Sequence, residues 1–141
     1  MKSTLISLLL FLTLTAFAAF AENCPSIKEL QSDKSHKWRA YDSDNDKPLP
    51  PLREAKLRKA IAEFVMAEWS QSTNKNMIHC YYHNAHGSPM EAYFAKESAM
   101  PAKSSKYWYQ VSGMMQCAAS AEQCQFQNLP DMTTQLASKE S

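Results

Sequence analysis

Hydrophobic and polar positions along the chain fall into three regimes. From Leu5 to Phe20 no residue is charged and only Ser7, Thr13 and Thr15 bear hydroxyls. This run follows Lys2 and ends in Ala19-Phe20-Ala21, a small-x-small cleavage signature, so residues 1–21 read as a cleaved export signal. At about 16 residues the apolar run is shorter than the roughly 20 that span a bilayer. The second regime has helical periodicity: Leu57, Ala60, Ile61, Phe64, Val65 and Trp69 recur on one stripe, with Arg53, Glu54, Lys56, Arg58, Lys59 and Glu63 largely elsewhere. With Pro51 in the first turn, this spacing predicts one long amphipathic helix from Pro51 to about Gln71. The third regime follows the polar break at residues 70–75. Met77–His83, Met90–Lys96 and Tyr107–Met115 are rich in aromatic and β-branched residues and predict antiparallel strands, with a further strand at Gln123–Gln127.

Shorter signals complete the outline. Ser26 and Glu29 offer a capping box to a helix reaching about Gln31. Lys37–Tyr41 predicts a short strand that runs into the turn-forming Asp42-Ser43-Asp44-Asn45-Asp46, and Pro48, Pro50 and Pro51 end that loop. The expected fold is α+β, one long amphipathic helix packed on a small antiparallel sheet of three to five strands. It occupies residues 22–128 as a single domain, and residues 129–141 predict a flexible C-terminal tail.

Composition removes several functions. With only two glycines, Gly87 and Gly113, the chain has no phosphate-cradling loop, dinucleotide fingerprint or Gly-x-Ser-x-Gly elbow. Lys2 is the one basic residue of the signal, so the mature chain balances basic against acidic side chains and has no long-range pull on nucleic acid or anionic lipid. Cys24 is preceded by Ala21-Glu22-Asn23, which does not fit a lipidation signal. No Asn-x-Ser/Thr sequon occurs, which favours a bacterial periplasm. Four cysteines in an exported chain read as two disulfides. The short polar segment between Cys117 and Cys124 can turn back on itself, which leaves Cys24 to pair with Cys80. Zinc is the alternative use of four cysteines, but no Cys-x-x-Cys spacing is present.

Candidate chemistry is sparse. Asp42, Asp44 and Asp46 match the first half of a calcium loop, yet Lys47 stands where the turn-making glycine belongs and Arg53 where the bidentate glutamate belongs. On a strand His79 and His83 share a face about 13 Å apart, too far to ligate one ion. His83 and His86 can meet across the following turn, a copper or zinc alternative. The methionines are dispersed and read as core filling. No spacing nominates a catalytic serine, histidine and acid, and no cofactor is expected. Tyr107 and Tyr109 flank Trp108, so on an extended strand both rings share the face opposite it. Together with Tyr81 they are the candidate interaction surface, since amphipathic rings are enriched at protein interfaces.

The order of landmarks resembles a known family. Cys24-Pro25-Ser26, Trp38, Phe64-Val65-Met66-Ala67-Glu68-Trp69, Cys80-Tyr81-Tyr82, Trp108, Cys117-Ala118-Ala119-Ser120 and Cys124-Gln125-Phe126 are similar to the EirA-like proteins. These are small periplasmic proteins associated with type IV secretion in intracellular Gram-negative bacteria. The resemblance covers about residues 24–127 and implies a non-enzymatic accessory protein that supports secretion and intracellular replication, with no catalytic residues carried over. Expected partners are secretion-apparatus or envelope proteins, or a second copy in a homodimer, with peripheral or no membrane contact and no nucleic acid. The alternative is a periplasmic metal-binding protein using the His79–His86 segment.

Overall fold

A computed structural model describes residues 21–34, 36–71, 75–102 and 105–129. The expected signal, apart from Ala21, and the expected tail, apart from Leu129, lie outside the described residues. Helix α1 (Ile27–Ser32) starts where its capping box predicts. Ser26 Oγ accepts the Glu29 N–H at 3.2 Å and the Glu29 carboxylate accepts the Ser26 N–H at 2.7 Å, so two helix-terminal donors are satisfied reciprocally.

The long helix is not there. Helix α2 covers only Pro51–Ala60, and the chain passes without a loop into strand β3 (Ile61–Gln71). Ile61 is the hinge: its N–H still donates to the Leu57 carbonyl while its own backbone is extended (φ −66, ψ 138). The apparent helical stripe has a different cause. The pairing of β3 with β4 (Asn76–Asn84) shifts register between Ile61 and Glu63 and again between Phe64 and Met66. Each bulge inserts one residue, so the core-facing positions Ile61, Phe64, Ala67 and Trp69 lie three, three and two apart, which imitates a helix. The α2 face that packs inward carries two charged residues beside one apolar one: Glu54, Leu57 and Arg58 are buried while Leu52 points to solvent.

The architecture is therefore mostly β, and the α+β expectation is corrected. Strands β2 (Arg39–Asp42), β5 (Ala92–Glu97), β4, β3, β7 (Met114–Cys117) and β6 (Tyr109–Val111) form a six-stranded sheet in that spatial order, every neighbouring pair antiparallel. A two-stranded ribbon pairs β1 (Ala21–Glu22) with β8 (Phe126–Gln127). The segment expected as one strand, Tyr107–Met115, is instead the approach to a tight hairpin: Val111 pairs with Met114, and Ser112 (φ 46) and Gly113 (φ 83) make the two-residue turn. Both turn residues in the left-handed region match the twist of the strands they join.

The core lies on one face of the large sheet. Ile78, Cys80, Tyr82, Phe94, Ala67, Trp69 and Cys117 contribute from the strands, and Cys24, Leu30, Trp38, Trp108, Cys124 and Phe126 from the segments laid over them. Cys24 bonds Cys80 and Cys117 bonds Cys124, the pairing expected from the sequence. The first bridge ties the segment before α1 to the centre of β4, and Tyr82 donates to the Pro25 carbonyl beside it at 2.7 Å. Two disulfides fit an oxidising, exported environment. Among the described residues, no helix is long and apolar enough to cross a membrane.

Candidate functional site

Strand alternation that sends Ile78, Cys80 and Tyr82 inward sends His79, Tyr81 and His83 outward. The register then assembles an outer face that no single segment displays. Arg39 pairs with Ala95, Ala95 with His79, His79 with Glu68, Glu68 with Gln116, and Gln116 with Tyr109. Directly paired residues share a face, so this row crosses all six strands, about 24 Å at ~4.8 Å per strand. It is polar throughout except for Ala95. Beside it runs an aromatic row in which Tyr41 pairs with Tyr93 and Tyr81 with Met66.

The middle of this face is rigidly interlocked. The Tyr93 ring stacks on His79 with centroids 4.5 Å apart, lies parallel to Tyr41 at 5.8 Å and meets Tyr81 at 5.5 Å. Tyr93 Oη donates to Asp46 Oδ1 at 2.7 Å, which clamps the acidic loop onto the sheet. Burial raises the Tyr93 phenol pKa, reinforced by the hydrogen bond to Asp46, and burial also raises that of Tyr81. Both rings stay neutral at physiological pH.

Glu68 links the polar row. Its Oε1 lies 3.8 Å from His79 Nδ1, and its Oε2 accepts from Gln116 Nε2 at 2.9 Å. His79 foremost lowers the Glu68 pKa, and Gln116 adds to this, against a burial effect that works the other way. A carboxylate, an imidazole and a carboxamide are thus held in one line, with Arg39, half-exposed and paired with the buried Glu54 at 3.5 Å, at one end and Tyr109, half-exposed (49 %), at the other. Such a face can offer hydrogen bonds in fixed positions and apolar ring area at its rim. The groups that could do chemistry are tied to structural partners: His79 to Glu68 and Tyr93, and all four cysteines to each other.

The candidates read from sequence are partly brought together. Tyr81 and Tyr109 do share the outer face, on β4 and β6. Tyr107 does not: it precedes β6, packs against the core cluster, and its hydroxyl accepts from Gln123 Nε2 at 3.0 Å. His83 is the penultimate residue of β4, and His86 is exposed on a turn organised by Asn84, whose Oδ1 accepts the His86 and Ser88 N–H groups at 2.9 and 3.0 Å. Among the described residues, no group of three or more His, Cys, Asp or Glu side chains is placed to hold a metal. In the Asp42–Asp46 loop, Asp42 Oδ1 accepts the Asp44 N–H at 3.0 Å, Asp42 Oδ2 lies 3.6 Å from Arg53, and Asp46 holds Tyr93. Glu68, Gln116, Tyr41 and Tyr93 were not singled out by the sequence as one site. The helical reading hid Glu68, although Met66, Glu68 and Ser70 alternate strictly with Ala67 and Trp69 and carry a strand signal.

A family model described as "Protein of unknown function (DUF3757)" matches residues 19–127. No curated protein and no solved structure matches the chain.

Proposed function

We propose that the chain, which belongs to the DUF3757 family of proteins of unknown function, is a non-enzymatic interaction protein of the periplasm that grips a protein partner with the outer face of its six-stranded sheet. The observation that carries this reading is the ladder Arg39–Ala95–His79–Glu68–Gln116–Tyr109, which aligns polar side chains from five of the six strands of a sheet whose other face is core. Preorganised donors and acceptors lower the ordering cost of association, and exposed tyrosine at the rim supplies the amphipathic contact that dominates many interfaces. The disulfides support placement in an oxidising compartment. The sequence resemblance to EirA-like proteins makes type IV secretion components the first partners to seek.

A photoreactive residue placed at Tyr109 in the living bacterium tests this. Expected is cross-linking to one defined envelope or secretion-apparatus protein, lost when Arg39 and Gln116 are both replaced by alanine in a chain that still folds. Equal cross-linking from Leu52, which is exposed on α2 away from this face, overturns the assignment. Capture of a second copy of the chain reassigns the face to a homodimer, and light scattering then reports twice the monomer mass.

A further inference from the structure

Lys96 occupies a position on β5 where alternation demands a core residue. Phe94, two residues earlier, is 1 % exposed, and Lys96 pairs with the buried Ile78. Its side chain is 10 % exposed. The ammonium lies 5.2 Å from the Trp38 ring centroid and 5.9 Å from that of Phe126, contacts the Glu22 carboxylate, and donates to Asn128 Oδ1 at 2.8 Å. Glu22 belongs to β1 and Asn128 follows β8, so one lysine joins the large sheet to the ribbon packed over it. An amine in contact with both a carboxamide and a carboxylate, under two aromatic rings, has a chemistry beyond ion pairing.

We propose that Lys96 and Asn128 are joined by an intramolecular isopeptide bond, with Glu22 as the catalytic residue that moves the protons. The contact between Lys96 and Glu22 lets the ammonium pass a proton to the carboxylate, which leaves a neutral amine and a carboxylic acid. The amine lone pair attacks Asn128 Cγ and forms the new N–C bond, while the carbonyl electrons move onto Oδ1, which the Glu22 acid protonates. Glu22 then takes a proton from the attacking nitrogen and delivers it to Nδ2. As the carbonyl re-forms, the Oδ1 proton returns to Glu22, the Cγ–Nδ2 bond breaks and ammonia leaves, carrying that proton into solvent as ammonium. Amine and carboxamide become a secondary amide and ammonia, with no oxidant or co-reactant. A cavity of 360 Å³ has Glu22, Lys37 and Trp38 in its wall.

The surroundings favour the neutral amine. Burial lowers the Lys96 pKa, against the opposing pull of Glu22. Lys37 Nζ lies 3.2 Å from the other Glu22 oxygen and is 59 % exposed. The bond would add a covalent brace between sheet and ribbon to the two disulfides.

Mass spectrometry of the full chain purified from the bacterial envelope, with its disulfides reduced, decides the matter. Expected is a mass lower by one ammonia than that calculated from its observed N-terminus, together with a branched peptide joining the Lys96 and Asn128 segments and no tryptic cleavage after Lys96. Asn128→Ala and Glu22→Ala should both restore the full mass. An unshifted mass in the unsubstituted chain, or an ammonia loss mapped to a succinimide at another asparagine, overturns the proposal. The unsubstituted chain is the primary readout, so poor folding of either variant leaves the result interpretable. The outcome is also independent of which partner the outer face binds.

Discussion

Arg58 directs its guanidinium at acceptors from three separate segments: Nη1 donates to the Leu30 carbonyl at 2.7 Å, Nη2 to the Trp38 carbonyl at 2.5 Å, and Nη2 and Nε to Glu54 Oε1 at 2.6 and 3.2 Å. It also covers the Phe94 ring at 5.0 Å. Arg58→Ala leaves a buried carboxylate and two carbonyls without this partner, and the expected loss is about 3–5 kcal/mol in urea unfolding. A loss under about 1 kcal/mol would show that water replaces the guanidinium freely. Arg58→Lys recovers only part, because a single ammonium cannot serve acceptors set in a planar fork. Glu68 makes a different prediction. Its pKa is lower folded than its ordinary value of 4.5, so the stability it contributes is present above that value and is lost as pH falls through the lower, folded one. Glu68→Gln should therefore flatten the acid limb of a melting-temperature profile, and an unchanged acid limb would contradict the ladder's electrostatics. The sequence showed the residue types here but not their roles. Arg58 and Glu54 look like ordinary solvent-facing helix charges until α1 and β2 close over them.

At the scale of elements, the strongest sequence signal was the one that misled. Ile61, Phe64, Val65 and Trp69 fit a helical stripe, and nothing marks a break, because neither glycine nor proline lies between α2 and β3. The β-branched Ile61 and the bulges settle it only once β4 is alongside. The opposite error occurred in the hairpin, where a glycine inside an aromatic run signalled a turn and the run was read through. Gly113 has open space around a built Cβ but a φ of +83, so Gly113→Ala costs backbone strain alone, about 1–2 kcal/mol by chemical unfolding. Ser112→Asn should raise stability, since asparagine accepts the left-handed conformation that Ser112 already holds. If both substitutions prove neutral, the hairpin turn does not hold this geometry in solution. Local patterns did locate the cap of α1, the strands β2, β4 and β5, and the return at β8.

For the whole molecule, two cross-links of unequal span hold the layers together. Cys24 and Cys80 are 56 residues apart, Cys117 and Cys124 only 7. Chain-entropy reasoning assigns about 4 kcal/mol to the longer closure and about 2.5 kcal/mol to the shorter. Replacing Cys24 and Cys80 together by alanine should lower the unfolding midpoint more than replacing Cys117 and Cys124, and the reverse order would locate the critical constraint at the β7–β8 end. The sequence by itself determined the even cysteine count, the absence of nucleotide loops and the inward-outward alternation of β4, and among three possible disulfide pairings it favoured the one the structure shows. Those features are local: they need only composition, spacing and the geometry of one segment. Tertiary structure alone decided that residues 61–71 are strand, that Tyr107 turns away from Tyr109, and that Arg39, His79, Glu68, Gln116 and Tyr109 form one row. Each of these depends on register between strands distant in sequence, where a slip of one residue would send every side chain to the other face.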